Sequence, residues 1–404
     1  MLYDSNMKIL QVCSKIPYPS KDGGSIAMNM LTEGLIATGN EVTVLAMSTP
    51  KSFLKQGEID KSYQSKTKFQ TVFIDTSIKP FAAFLNLFSK KSYNVIRFYS
   101  KEFEKALEVV LAKENFDIVQ LETLWVTPYV ETIRKKSKAK IVYRSHNVEF
   151  IIWERLAAIT KNTLKKMYFQ LLAGRLKKYE VSMLNKYDAI ASITDVEIHT
   201  LKKLGCTLPV KHIPFGVTLA KYVPHEAVIE FPSLFHIGSM DWMPNQEAIN
   251  WFLNKIWPTI HVKFPNLNLY LAGRNMPVWL SELKMENVKV VGEVEDQLEF
   301  IRSKSVMIVP LQSGGGMRIK IIEGMAMAKA IVSTSIGAEG ISCEDQVNIV
   351  LADTETAFEQ AIENCVVNKT FTETIGKNAR VLIENKYDNY KICKELVAFY
   401  QTLN

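Results

Sequence analysis

Residues 309–341, VPLQSGGGMRIKIIEGMAMAKAIVSTSIGAEGI, restrict what this chain can fold into more than any other stretch. An apolar run beginning near Val306 ends at Val309-Pro310-Leu311, and three consecutive glycines follow shortly after it. Beyond them Ile319, Ile322, Met325 and Ala326 recur at helical spacing, and Ala330-Ile331-Val332 restarts a buried strand. The pattern is strand, glycine turn, helix, strand. Gly314, Gly315 and Gly316, with Met317 after them, let backbone N–H groups crowd an anion, and the next helix aims its positive end at the same place. Lys320 and Glu323 share one helix face, which sets a cation beside an acceptor for hydroxyls. A sugar nucleotide suits that pair, with its diphosphate at the helix start and its ribose on the carboxylate. A plain βαβ unit with a tight turn and a solvated Lys–Glu pair fits the glycine spacing equally well.

The rest of the chain repeats the same alternation. Strands are expected at Lys8–Cys13, Glu41–Ala46, Thr71–Ile74, Ile118–Leu121, Lys140–Tyr143 and Ala189–Ile193, with a helix over Ser25–Ala37 and a long basic amphipathic stretch over Val148–Asn185. Residues 211–224, KHIPFGVTLAKYVP, hold two prolines and a glycine without sustained period and read as a linker. A second series follows: strand Leu234–Ile237, helix Gln246–Val262, strands Leu267–Ala272 and Val288–Val291, and helix Asp296–Ser303. With 404 residues, two domains are the default. The expected fold is α/β, with two Rossmann-like halves and a deep cleft at the C-terminal edges of their sheets, where such folds bind ligands. The boundaries expected are 1–214 for the first domain, completed by a C-terminal helix over 386–404, and 215–385 for the second.

Composition narrows the chemistry. The five cysteines are scattered with no CxxC spacing, and the six histidines form no HxxxH or HExxH pattern. Neither a disulfide framework nor a protein-bound metal is indicated, and free thiols fit a reducing cytoplasm. No stretch of about eighteen apolar residues spans a bilayer, and no basic n-region precedes an apolar export segment. Charge is uneven: residues 1–214 carry 32 Lys and Arg against 20 Asp and Glu, a net of +12, while residues 215–404 carry 17 against 22, a net of −5. Only the first half is suited to an anionic partner.

Several short motifs sit where strands give way to loops. SKDGGSIAMN puts Gly23 and Gly24 between the first strand and first helix, suited to a backbone approach to phosphate or acceptor, or simply to an ordinary βα turn. YRSHNVE places His146 after a strand, as a cleft residue or as a structural hydrogen-bonder. HIGSMDWMPN sets Gly238, Ser239 and Asp241 in the turn after the first strand of the second half, and LAGRNMP sets Gly273 and Arg274 after the next. A guanidinium at Arg274 could pair with phosphate or lie on the surface.

Taken in order, these motifs resemble the family 4 glycosyltransferases, from KILQVCSKIPYPSKDGG through HIPFGV to FHIGSMDWMPN, LAGRNMP, VGEV and VPLQSGGGMRIKIIEGMAMAKAIVST. The resemblance is greatest to the bacterial branch that builds exopolysaccharide, capsule or lipopolysaccharide. It implies the GT-B fold of two facing Rossmann-like domains and a last helix that returns to the first. It also implies transfer of a sugar from a nucleotide donor to a glycan or lipid-linked acceptor, with retention of configuration and no metal or other cofactor. Glu323 matches the glutamate implied to hold the ribose, and His146 matches the first-domain histidine implied to hydrogen-bond the donor sugar or phosphate. Two departures stand out. Gly315 occupies the place of a second glutamate, and HIGSMDWMPN lacks the Arg and Lys common at that loop. The leaving diphosphate then needs other cations, for which Arg318 and Lys320 are the candidates and Arg274 the reserve. Residues two apart on a helix point about 200° apart, so Arg318 can join Lys320 only from the turn before the helix.

Residues 78–98 and 161–178 mix aromatic and aliphatic residues with lysine and arginine, as a segment docking on an anionic membrane would, or as core-packing helices with a solvated basic face would. No helix-turn-helix, RNP or zinc pattern accompanies the charge, so nucleic acid is not expected. The enzyme expected is cytoplasmic, peripheral on the inner face of the cell membrane. A non-transferring GT-B enzyme such as a UDP-GlcNAc 2-epimerase would want acid–base carboxylates. A two-lobed solute-binding protein would want an export signal.

Overall fold

The computed structural model describes residues 6–20, 22–53, 59–223 and 229–403. The chain divides into two units, Met1–Phe215 with Tyr390–Asn404, and Gly216–Asn389.

The first unit holds seven parallel strands: β1 (Lys8–Cys13), β2 (Glu41–Ser48), β3 (Gln70–Phe73), β4 (Ile118–Glu122), β5 (Lys140–Ser145), β6 (Ala189–Ser192) and β7 (Val210–His212). Their order is β3-β2-β1-β4-β5-β6-β7. The central strands read as near-continuous apolar runs because helices cover both faces of a parallel sheet. One apolar layer gathers Leu10, Leu45, Phe103, Val119, Ile141 and Leu176, and the other Ile9, Met28, Leu35, Val42 and Val142. The C-terminal helix Asn389–Gln401 adds Ile392, Cys393, Leu396 and Tyr400 to the second layer, each fully buried apolar side chain contributing about 1.5–3 kcal/mol. The first helix, Gly23–Ala37, is stopped at its start by a capping box: Asp22 accepts from the Ser25 N–H at 2.9 Å, and the Ser25 hydroxyl accepts from the Asp22 N–H at 2.9 Å.

The second unit holds six parallel strands: β8 (Glu230–Ile237), β9 (Asn268–Ala272), β10 (Val288–Gly292), β11 (Lys304–Val309), β12 (Ala330–Ser333) and β13 (Val350–Leu351). Their order, β10-β9-β8-β11-β12-β13, repeats the first. In both sheets the winding direction reverses once, between β1 and β4 and between β8 and β11. Loops leaving the two strands on either side of such a point diverge and open a crevice beyond the carboxyl ends.

Three local differences from the sequence reading have clear causes. The basic stretch Val148–Asn185 is two helices, Glu149–Ile159 and Thr163–Met183, parted where Asn162 caps the second through the Lys165 N–H at 2.9 Å. The helix expected over Gln246–Val262 runs from Met243 to Lys263 but loosens to a π turn at Phe252–Ile256, because Pro258 has no N–H for the carbonyl of Asn254. The stretch 211–224 is not featureless either. It begins in the edge strand β7, and its Val217 pairs with Asp388 before a short 3-10 turn at Leu219–Lys221. Pro224, the last residue of that expected linker, lies outside the described residues.

Candidate functional site

The second unit's crevice is built from the loops after β8, β9 and β11. Strand β8 carries His236 at its last position but one, fully buried among apolar neighbours. Its Nδ1 lies 3.0 Å from the carbonyl oxygen of Ile308 on β11. A carbonyl only accepts, so Nδ1 carries the proton and Nε2 presents a lone pair. Burial, with the neighbouring Lys320, holds this imidazole well below its ordinary value and therefore neutral. Lys320 Nζ stands 3.3 Å from that Nε2 and 2.9 Å from Asn245 Oδ1, while Asn245 Nδ2 donates to the Ser239 carbonyl at 2.7 Å. The ammonium is thus fixed at the switch point by two neutral acceptors. Burial, helped by the charge of Arg318, pushes its pKa down to about 7.

Two glycines make room for it. A Cβ at Gly238 would lie 2.8 Å from Lys320 Nζ and 2.8 Å from Asn245 Nδ2. At Gly273, with φ of +148°, a Cβ would fall 1.8 Å from the Gly238 carbonyl oxygen. The loops after β8 and β9 meet through Gly238 N–H to Ala272 at 3.1 Å and Met240 N–H to the Arg274 carbonyl at 2.8 Å, which puts Arg274 beside this site. Ser239 spends its hydroxyl on Asp241.

The glycine turn after β11 takes φ of +113° at Gly314 and +81° at Gly316, while Gly315 needs no such conformation. Arg318 is the N-cap residue of the helix Ile319–Ala326, extended and outside the helix proper. That is where the geometry required it, but its guanidinium turns back onto the carbonyls of Gly315 and Gly316 and lies 5.2 Å from the centre of the Trp242 ring. In this state Arg318 braces the turn and Lys320 is the cation held in the crevice. Met317, after the third glycine, is buried.

Glu323 lies one turn on, buried, with its carboxylate accepting from the Tyr222 hydroxyl at 2.8 Å and from Gln297 Nε2 at 2.8 Å. Burial raises its pKa against the pull of those two hydrogen bonds. Lys320 and Glu323 share a helix face as expected, yet no ion pair joins them among the described residues. Each is pinned to a different neighbour.

In the first unit, His146 follows β5 and is buried, its Nε2 2.7 Å from Glu122 Oε2 at the end of β4. Burial lowers the imidazole's pKa, so the neutral ring donates Nε2–H to a carboxylate. Burial disfavours that carboxylate's charge, but His146, Arg144 and Gln11 together hold it below the usual range. Only Nδ1 of His146 then remains for a ligand, and only as an acceptor. A neutral acceptor suits a hydroxyl better than a phosphate oxygen. At the same sheet edge Gly23 and Gly24 open the first helix, where Lys15 Nζ pairs with Asp22 at 3.0 Å and a Cβ on Gly24 would lie 3.0 Å from that ammonium.

Sequence reasoning missed His236, Asn245 and Glu122. The signal available for two of them was a polar side chain inside a fully buried strand, in SLFHI and in IVQLE. It also found no carboxylate suited to acid–base work. In the first unit burial pushes Glu149 up to about 7, Glu180 to about 8 and Glu197 to about 7.

Comparison with known proteins agrees with this architecture. Residues 231–368 match the family model of the glycosyl transferases group 1. An uncharacterised 44.6 kDa protein of the cps region of Klebsiella pneumoniae is 25% identical over 95% of this chain and 97% of its own. Among solved structures, sucrose-phosphate synthase of Thermosynechococcus elongatus superposes with a TM-score of 0.71 at 15% identity, covering 98% of this chain and 99% of that one. HepE of Anabaena, solved in complex with UDP and glucose, gives 0.65 at 13% identity, covering 98% and 99%. Residues 231–368 therefore carry a domain of the glycosyl transferases group 1, set in a chain whose fold is GT-B.

Proposed function

We propose that this protein is a retaining, metal-independent glycosyltransferase that moves a sugar from a UDP- or GDP-sugar to a glycan or lipid-linked acceptor in cell-surface polysaccharide synthesis. It would work in the cytoplasm at the inner face of the membrane. The observation that carries this reading is the Lys320 ammonium, held by His236 and Asn245 beside the glycine turn and the start of the helix Ile319–Ala326. Fixed donors in a dry site stabilise charge as it develops, without reorganising during the reaction. In transfer, the bond from the anomeric carbon to the phosphate oxygen breaks as the acceptor oxygen bonds to that carbon on the same face. The acceptor's proton passes to the departing diphosphate, whose charge Lys320 and the turn's N–H groups balance. Glu323 retains a second lone pair on each oxygen for ribose hydroxyls, and His146 Nδ1 accepts from a donor-sugar hydroxyl. Arg274 is the reserve cation.

The test is a thermal-shift screen against UDP, GDP and their sugar conjugates, followed by NMR of the product's anomeric configuration. Stabilisation by one nucleotide series and a retained anomer are expected. No shift with any nucleotide, or an inverted product, refutes the reading. One observation favours a second reading, a non-transferring epimerase: the carboxyls of Glu149, Glu180 and Glu197 are poised near neutrality. An epimeric nucleotide sugar appearing without any acceptor would select it.

A further inference from the structure

The helix Pro80–Asn86 is amphipathic in the wrong direction for a packed helix. Phe81, Phe84, Leu85 and Phe88 recur at i, i+3, i+4 and i+7, the stripe that normally faces a core. All four are exposed, Phe81 by 74% and Phe88 by 81%. The start of the helix Thr163–Met183 repeats the arrangement: Leu164, 79% exposed, Met167 and Leu171 fall at i, i+3 and i+7, with Ile159 just before them. The second stripe shares its helix face with Arg175, eleven residues after Leu164 and so about 20° from it around the axis, and Arg175 ties the two helices together. Arg175, from the second helix, donates to the Asn86 carbonyl at 2.8 Å and to the Leu87 carbonyl at 2.8 Å, clamping the end of the first helix. Scattered exposed apolar residues are ordinary, but two adjacent stripes of this size mark an interaction site.

Charge decides the partner. Residues 78–98 contain four Lys and Arg and residues 161–178 contain six, with no Asp or Glu in either. Asp75 pairs with Lys79 and Glu154 with Lys177, so the cationic rim rests on Lys90, Lys91, Lys161 and Lys165. A second copy of the same surface would bring cation against cation. Nucleic acid would meet the lysines, but Leu164, Met167 and Ile159 have no flat face to stack on bases. A layer of hydrocarbon beneath anionic headgroups satisfies both the apolar stripes and the lysines.

We propose that this face of the first unit docks on an anionic lipid bilayer, Phe81, Phe84, Phe88 and Leu164 entering the headgroup–acyl boundary while the lysines meet lipid phosphates. Among the described residues no helix is long and apolar enough to cross a membrane, so the attachment is peripheral. The docking surface deepens the reading of the protein as a transferase with a lipid-borne acceptor, and its test does not depend on that reading. Full-length protein is floated with vesicles of phosphatidylcholine alone and with one-third phosphatidylglycerol, at low and high salt. Two variants are compared, Phe81→Ser/Phe84→Ser/Phe88→Ser and Lys90→Glu/Lys91→Glu/Lys165→Glu, with circular dichroism and the nucleotide thermal shift as folding controls. The expected result is salt-sensitive binding to the anionic vesicles, weakened at least tenfold in either variant with the nucleotide shift unchanged. Failure of the wild type to bind, or equal binding by folded variants, overturns the proposal. So does a concentration-dependent dimer that the Phe variant abolishes while vesicles stay unbound. Vesicle binding without any nucleotide shift would sink the transferase reading and leave the surface standing.

Discussion

Raising the pH from 6 to 8 should weaken binding of a nucleotide diphospho-sugar about tenfold, and Lys320 should account for the loss. Its ammonium titrates at about 7, lowered by burial and then by Arg318. It is therefore about nine-tenths protonated at pH 6 and about one-tenth at pH 8, a difference worth about 1.4 kcal/mol to an anion that binds only the charged form. The donor's phosphates are diesters and lose no proton in this range, unlike a phosphomonoester with its second pKa near about 6. Binding should accordingly draw a proton from solution above pH 7. Isothermal titration calorimetry at pH 8 in two buffers of different ionisation enthalpy measures that uptake directly, and approaches one proton if the bound lysine is fully charged. Lys320→Met should bind more weakly at pH 6, show no pH slope and take up no proton. A wild-type affinity that stays flat from pH 6 to 8, or a slope that survives in Lys320→Met, would refute the assignment of Lys320 to the diphosphate.

Two further outcomes follow from packing and from the buried acids. Gly273→Ala places a Cβ into the Gly238 carbonyl at a positive φ, so its denaturant midpoint should fall by an amount corresponding to about 3 kcal/mol or more; near-wild-type stability would contradict the loop geometry. Glu149, Glu180 and Glu197 titrate at about 7, 8 and 7 because of burial, against about 4.3 in an unfolded chain. The folded state holds more protons than the unfolded one between those limits. Their contribution is thus full below about pH 4 and lost as pH rises through 7 and 8. Opening of the first unit, followed by hydrogen exchange at β5 and β6 amides with intrinsic rates corrected for pH, should become easier from pH 6 to 8, by about 5 kcal/mol for three acids titrating independently. Glu149→Gln should flatten that trend, and a trend of the opposite sign would show the acids are not the cause.

The sequence by itself determined the α/β architecture, because strand and helix periods alternate plainly and each strand of a doubly covered parallel sheet must be apolar on both faces. It also located the glycine turn, since three successive glycines have few other uses between a strand and a helix. Tertiary structure alone decided which side chains meet. Nothing local says that His236 and Asn245 converge on Lys320, because those contacts span 84 and 75 residues and exist only once β8 and β11 lie side by side. Arg318 and Lys320 looked alike as nearby cations; the backbone turns the first onto the carbonyls of the glycine turn and the second into the crevice. The stripe of Phe81, Phe84, Leu85 and Phe88 was written in the sequence as an apolar helix face, but whether such a face covers a core or meets a membrane depends on what packs over it. Here nothing described does, since Phe81, Phe84, Leu85 and Phe88 all remain exposed.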